Sequence, residues 1–443
     1  MNSPNLGIDD NFFESGGDSI LSIQVVSKAR MHGLYFKTKD IFINQTIREL
    51  SDYATLDTNI IDNSDIEYGY CKLTPIQEWF FEKKFKDYNY WNQSIKLIFN
   101  ENINIEKLKN VFETIYNNHD ILRANFKKEN NKWTQYINRT IDVKRLIQII
   151  DNMDPEVNEV KQDNYHKAIS IDENLLSQII IKKGNDNIEL TWIIHHLLVD
   201  NVSWKILLED LERIYYEQDN EIKFNLKTTT YKKWSKSISD YKNIMDDNIR
   251  NYWEDIVDEG INVRFDLNKT NKVFLKEIKI PKEKILDLSK KYNSSIEEII
   301  ILVLVLTFKK SFNCNDLWMN MEGHGRHEIS EGIDLSRTVG WFTCIYPVKF
   351  EIFSKIEDNL KEIKLKLRNV PNKGFDNQFI KNSKLLINKI PLGFNFLGNI
   401  DKNEKKSLFT IFEPDFDDIN KVNRDKLPLT QITSYILNDY LCI

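Results

Sequence analysis

Apolar and polar positions split the chain into a short helical start and a long remainder of mixed period. After the Gly16-Gly17 turn, Ile20, Leu21, Ile23, Val25 and Val26 recur at helical spacing and predict a helix with one apolar face. Ile41-Phe42, then Ile47 and Leu50, predict two more short helical turns. From Ala54-Thr55-Leu56-Asp57 through Asp65-Ile66-Glu67 the chain is acidic, polar and weakly periodic, which reads as a linker. The expected organisation therefore opens with a small helical unit over residues 1–53 and a linker over 54–70.

From Leu73 the pattern turns to mixed α/β. Residues 106–118 are amphipathic. Residues 124–138, broken at Glu129-Asn130-Asn131-Lys132, and 177–194, broken at Gly184-Asn185-Asp186-Asn187, predict β-hairpins. The last strand, Ile188 to Ile194, runs straight into His195-His196, so those side chains are expected on a rigid strand end. In Ser294-Ser295-Ile296-Glu297-Glu298 either serine has a glutamate at capping-box spacing, which predicts a buried helix over 295–312. A charged helical stretch over roughly 230–258 is expected to bridge two lobes, 71–250 and 251–443.

The 443 residues suggest about three domain-sized units, and 41% hydrophobic with 12% aromatic residues supply sizeable cores. A net charge of −6, with both signs intermixed, gives no reason to expect a nucleic-acid or anionic-membrane partner. Cys71, Cys314, Cys344 and Cys442 are far apart and form no CxxC pair, so neither a zinc site nor a disulfide framework is indicated. The longest apolar run, Ile299 to Leu306, is eight residues, too short to span a bilayer. With no apolar segment near the N-terminus to suggest a secretory signal, cytoplasmic residence is the expectation.

The chemistry concentrates in two places. His195-His196 is followed four residues later by Asp200, a compact acid–base unit. An aspartate at that spacing can turn back to fix one imidazole, leaving the other to handle a proton. A metal site would want further ligands at ligand spacing, and none lies nearby in sequence. Upstream, Ser19 stands at a predicted helix start after two glycines. Free N–H groups and the positive dipole end there suit a phosphodiester, although an Asp-Ser helix cap would look the same.

Longer motifs decide between these readings. Asp10-Asn11-Phe12-Phe13-Glu14-Ser15-Gly16-Gly17-Asp18-Ser19-Ile20-Leu21 resembles the attachment site of peptidyl carrier domains of nonribosomal peptide synthetases, in the version that feeds epimerisation domains. His195-His196-Leu197-Leu198-Val199-Asp200 resembles the condensation-domain superfamily. Val202-Ser203-Trp204 resembles its epimerisation branch, whereas condensation domains usually carry the tryptophan before the serine. Leu73-Thr74-Pro75-Ile76-Gln77-Glu78-Trp79-Phe80, Met321-Glu322-Gly323-His324-Gly325-Arg326, Arg337-Thr338-Val339-Gly340-Trp341-Phe342-Thr343 with Tyr346-Pro347, and Phe394-Asn395-Phe396-Leu397-Gly398 are similar to further epimerisation-domain motifs, in order.

The resemblance implies an α/β fold: a small helical carrier remnant plus a two-lobed, chloramphenicol-acetyltransferase-like epimerisation domain with its site between the lobes. It implies 4'-phosphopantetheine on Ser19 and inversion of Cα in a carrier-tethered L-aminoacyl or peptidyl thioester. A thioester acidifies Cα–H, but removal still needs a positioned base, stabilisation of an enolate-like oxyanion, and a donor on the opposite face. His196 and Glu322 are the implied pair, in an order left open. His195 and Asp200 are implied to organise the loop, with Asp200 paired to an arginine, Arg337 being the candidate. Asn395 is implied to donate to the oxyanion. Ser203, Trp204, Arg326 and Arg337 are supporting residues, and His324 is either supporting or merely loop-stabilising. No metal and no pyridoxal phosphate are implied. The implied partners are a phosphopantetheinyl transferase, an upstream adenylation domain and a downstream condensation domain.

The match departs in places. Only a short segment precedes Asp10, so the carrier is expected to lack a helix and to expose Ile20, Ile23 and Val26. Ile443 comes 45 residues after Gly398, so the second lobe is expected to lack its closing strand and helix. Asn201 replaces a usual glycine and is expected to tolerate positive φ. Phe375-Asp376-Asn377 replaces expected glycines, and Phe396 stands where tyrosine is common. Two rivals remain: a peptide-bond-forming condensation domain and a catalytically silent carrier-docking fragment.

Overall fold

The computed structural model describes residues 6–17, 19–56, 67–151, 164–184, 187–217, 228–261, 277–327, 329–330, 332–400, 407–415, 430–437 and 439–443. Residues 6–56 form a small unit of three helices, Ser19–Met31, Thr38–Ile43 and Ile47–Ser51. Val26, Phe36 and Ile41 make its core. The expected linker 54–70 is partly structured: Thr55–Leu56 pairs with Leu34–Tyr35, and Gly69–Cys71 joins a small sheet. Its central residues, 57–66, lie outside the described residues.

The remainder holds two large sheets. The first runs in the order Phe409–Asp415, Asn92–Phe99, Ile188–His195, Ser177–Lys183, Ile147–Asp151. The second runs Lys279–Pro281, Tyr440–Cys442, Thr430–Leu437, Leu392–Asn399, Asp316–Gly323, Cys344–Glu351. Each sheet anchors its own apolar cluster. The lobes are not split cleanly at residue 250, because Phe409–Asp415 crosses back to pair with Asn92–Phe99 in the first sheet. An apolar edge there gains a ladder of hydrogen bonds that local sequence does not announce.

Both expected hairpins form. Asn130 and Asn131 have φ of 49° and 62°, the left-handed pair that a tight two-residue hairpin turn requires. The apolar helix is Ile296–Phe312, and the choice between serines falls on Ser295, which caps Glu298 N–H while Glu298 caps Ser295 N–H. The charged bridge is two helices, Tyr231–Ile244 and Asp247–Ile261. Tyr231, Trp234 and Ile238 enter the first core, whereas Trp253 and Val257 enter the second. Among the described residues no helix is long and apolar enough to cross a membrane.

The carrier-like unit rests on this body. Ile23 and Val26, expected to be exposed, are each only 3% exposed, and Ile23 is part of the large cluster of the first sheet. The body covers Ile23, and the unit's own core covers Val26; the side chain of Ile20 lies outside the described residues. Arg30 pairs with Asp334, Arg337 donates to Ser27 (3.4 Å), and the Lys373 ammonium lies 4.9 Å above the Phe42 ring.

Candidate active site

The strand Ile188–His195 ends against Asn92–Phe99 with His195 opposite Asn92, and the ladder continues through His196 N–H to the Trp91 carbonyl (2.8 Å). Alternation of side chains then separates the two histidines onto opposite faces. His195 is fully buried: its Nε2–H donates to the Tyr88 carbonyl (2.8 Å) and its Nδ1 accepts the Leu197 N–H (3.1 Å). Burial pushes it down to about 3, so it is a neutral, fully bonded strut. Gln77 supports the same loop by donating to the Leu197 carbonyl (3.1 Å) from a helix that Thr74 and Pro75 begin.

His196 turns the other way. Its Nδ1–H donates to the Val199 carbonyl (2.6 Å), and its Nε2 meets the Gln93 amide nitrogen at 3.2 Å. Its ring packs on Trp341 with centroids 4.4 Å apart. Burial lowers its pKa, so the imidazole is neutral near pH 7 with its lone pair at Nε2.

Asp200 does not turn back to hold an imidazole. It caps the helix Asn201–Tyr216 by accepting Ser203 N–H (2.8 Å), and it accepts Phe342 N–H (3.2 Å). Its arginine is Arg326, not Arg337, in a bidentate pair at 2.6 and 3.0 Å. Arg326 also donates to Ser203 Oγ (3.0 Å) and to the Thr338 carbonyl (3.1 Å), and it lies over the Phe342 ring. Gly325 brings it there at φ +64°, where a Cβ would collide with the Phe342 carbonyl at 1.7 Å. Arg337 instead pairs with Glu209 (2.9 Å) and the buried Asp210 (2.7 Å), which His119 also binds (2.9 Å). Sequence spacing cannot distinguish two arginines eleven positions apart on one loop.

Asn201 is the first residue of its helix, not a left-handed position, and its amide donates to the Leu397 carbonyl of the second sheet (2.9 Å). Ser203 Oγ bonds the Gly340 carbonyl (2.8 Å). Trp204 Nε1–H donates to Gln93 Oε1 (2.9 Å). The N-terminus of this helix is thus where the second lobe fastens onto the first.

The carboxylate comes from the second sheet. Glu322 lies near the end of the strand Asp316–Gly323, partly buried. Asn395, one strand over, donates its amide to Oε2 at 2.7 Å, so its observed partner is the carboxyl group itself. Gln431, on the next strand, donates to Oε1 at 3.3 Å. Gly393 makes room for it, since a Cβ there would meet Gln431 Oε1 at 2.0 Å. Burial pushes Glu322 up to about 7, with the Gln431 bond opposing. His324 accepts Arg326 N–H on Nδ1 (3.0 Å) and stacks on His327, the arrangement of a loop-stabilising group. Phe396 is partly buried against the second core. Asn372, Lys373 and Gly374 all have positive φ, so the departed glycine-rich segment keeps a tight turn and buries Phe375.

Ser19 opens the thirteen-residue helix Ser19–Met31, and Asp18 lies outside the described residues. A serine at a helix start, where the first N–H groups have no helical acceptor, fits a phosphodiester. Among the described residues no cluster of His, Cys, Asp or Glu is placed to hold a metal ion.

Residues 68–422 match the family described as condensation domain, and residues 1–54 match the phosphopantetheine attachment site. The chain belongs to the condensation-domain family. Its N-terminal carrier domain is of the kind that bears covalent 4'-phosphopantetheine. This condensation-family chain is 32% identical over 431 residues to bacitracin synthase 3 of Bacillus licheniformis, covering 91% of this chain and 7% of that protein. It is likewise 32% identical over 436 residues to gramicidin S synthase 1 of Brevibacillus brevis, covering 91% of this chain and 39% of that one. The chain therefore spans well under half of these curated relatives. Among solved structures, the epimerization domain from the third module of tyrocidine synthetase B superposes with a TM-score of 0.71 at 24% identity, covering 85% of this chain and 90% of that one. The condensation domain from Monacolin K polyketide synthase does so at 0.64 and 14%, covering 85% and 91%. The two-lobed α/β expectation is met by this condensation-domain fold.

Sequence reasoning does not find Gln93, Gln431 and Trp341 as parts of the site. Gln93 carries a signal, because Asn92-Gln93-Ser94 puts a polar run at the start of an otherwise apolar strand. Gln431 carries none, since nothing local relates it to a carboxylate more than a hundred residues away.

Proposed function

We propose that this condensation-family domain epimerises Cα of an aminoacyl or peptidyl thioester delivered by its carrier, with Ser19 as the attachment point. What supports this reading is that each sheet contributes one group able to exchange a proton near neutral pH, a histidine from the first and a carboxyl from the second. His196 is a neutral base with a fixed tautomer, and Glu322 is a carboxyl group poised at about 7. Peptide-bond formation needs one base at an amine, whereas inversion needs an acceptor on one face of Cα and a donor on the other.

When bound, the phosphopantetheine thiol supplies the thioester that acidifies Cα–H. His196 Nε2, unprotonated at rest, takes up one proton and returns it, and the Glu322 carboxyl handles the other. Asn395 and Gln431 orient the carboxyl, and a swing of the Asn395 amide toward the substrate would offer a donor to charge developing on the carbonyl oxygen. Arg326 and Asp200 fix the lobes, so the two groups keep their separation. Neighbouring adenylation and condensation domains and a phosphopantetheinyl transferase remain the proposed partners.

The test is deuterium uptake at Cα in heavy water with an L-aminoacyl pantetheine loaded on Ser19. Uptake with loss of L configuration, abolished or one-sided in His196→Ala and Glu322→Gln, is the expected result. A folded protein that exchanges none of several loaded substrates would overturn the reading. Offering an acceptor amine would then test condensation.

A further inference from the structure

Gln93 and Trp204 are not proton-transfer groups, yet they bracket the one histidine that is. Register explains why Gln93 is there. Gln93 stands opposite Ile194, so it shares a face with His196, one diagonal step along the ladder. Trp204 reaches the same face from the first turn of the helix that Asp200 caps.

Donors and acceptors in this row have only one consistent assignment. The Val199 carbonyl can only accept, so His196 Nδ1 carries the hydrogen and Nε2 presents a lone pair. The Trp204 indole can only donate, so Gln93 turns Oε1 toward it. The Gln93 amide nitrogen then faces His196 Nε2 at 3.2 Å as the donor. Gln93 is 7% and Trp204 2% exposed, so water is not at hand to replace either partner. A proton arriving at Nε2 would place two donors head to head. Gln93 cannot relieve this by flipping, because its N–H₂ would then oppose the indole N–H.

We propose that the Trp204–Gln93 pair is a positioning device that keeps His196 neutral, with Nε2 as an acceptor, and penalises its imidazolium form. This rests on the proposed proton-transfer role of His196. Burial of the ring acts in the same sense, and the other groups around it do not add to this. His195 is neutral and bonded to backbone, Trp341 packs by its ring, and Asp200, the nearby charge, is committed to Arg326 and on its own favours the imidazolium. The pair also gives Trp204 a role in the Val202-Ser203-Trp204 order. A tryptophan at position 202 would lie about 200° around the helix, away from Gln93.

The experiment is a ¹⁵N-histidine NMR titration of the full chain, which reads the His196 tautomer and protonation without substrate. Wild type is expected to keep Nε2 unprotonated through neutral pH. Gln93→Glu is expected to move the titration upward by about one to three pH units, and Trp204→Phe, which frees the amide to flip, to move it less in the same direction. Gln93→Met controls for packing if Trp204→Phe unfolds. The low-pH limb of the Cα exchange profile should shift by the same amount. Coincident His196 titrations in wild type, Gln93→Glu and Trp204→Phe would overturn the proposal. A shifted titration in a protein that never exchanges Cα protons would leave this device standing and sink the epimerase reading instead.

Discussion

The two halves of the site are built on different principles. The histidine half comes from one continuous segment, His195 to Trp204, which is mostly buried with His196 itself partly exposed, and is bonded to backbone, to Gln93 and to a buried ion pair. The carboxylate half takes one side chain from each of three strands, Glu322, Asn395 and Gln431, and stays partly open. The first half is over-determined, so its resting tautomer is fixed. The second buries its carboxyl beside two neutral amides and, among the described residues, no cation, and burial raises it to about 7, where it can change state. The proposed proton transfer would gain from this division: one group is rigidly ready and the other is adjustable.

The contrast can be broken at several points. Removing either proposed proton-transfer group should have the largest effect: His196→Ala or Glu322→Gln is expected to lower Cα exchange by roughly 100- to 10,000-fold, measured by mass spectrometry in heavy water. Cutting the link between the halves comes next. Arg326→Met leaves Asp200 buried without its partner and should cost about 3–5 kcal/mol, read from the urea unfolding midpoint. If stability is unchanged, the buried pair does not join the lobes.

The carboxylate half should respond to pH where the histidine half does not. Glu322 is raised above its unfolded value, so its protonated form favours the fold at low pH and that contribution disappears as pH rises through about 7. Exchange in the direction that needs Glu322 as donor should therefore fall above pH about 7. Because the Gln431 bond opposes that rise, Gln431→Leu should move this limb to higher pH, visible in the exchange profile. The smallest effect belongs to the carrier contact. Asp334→Ala should weaken the Arg30 pair by about 1 kcal/mol or less and speed amide hydrogen exchange in Ser19–Met31.

Much is legible in the sequence because local rules suffice for it. The capped helix at Ser295, the Asn130-Asn131 hairpin and the strand running into His195 all follow from short-range period and turn chemistry. The histidine loop is legible as a motif, but the expected ion pair to Arg337 is made by Arg326, because both arginines come from the same later segment and only packing selects one. Ile23 is buried against expectation because its covering surface comes from the body rather than from the carrier.

The sequence by itself determined the family, the elements and the candidate reactive side chains, since these depend on residues adjacent or a few positions apart. Tertiary structure alone decided the states of those side chains. His196 is neutral because the fold buries its ring while the Val199 carbonyl fixes the tautomer, and Glu322 is raised because it is buried beside strands more than seventy positions downstream. Protonation depends on what surrounds a group in space, and the spatial neighbours here are set by strand register and lobe packing, which no local pattern encodes.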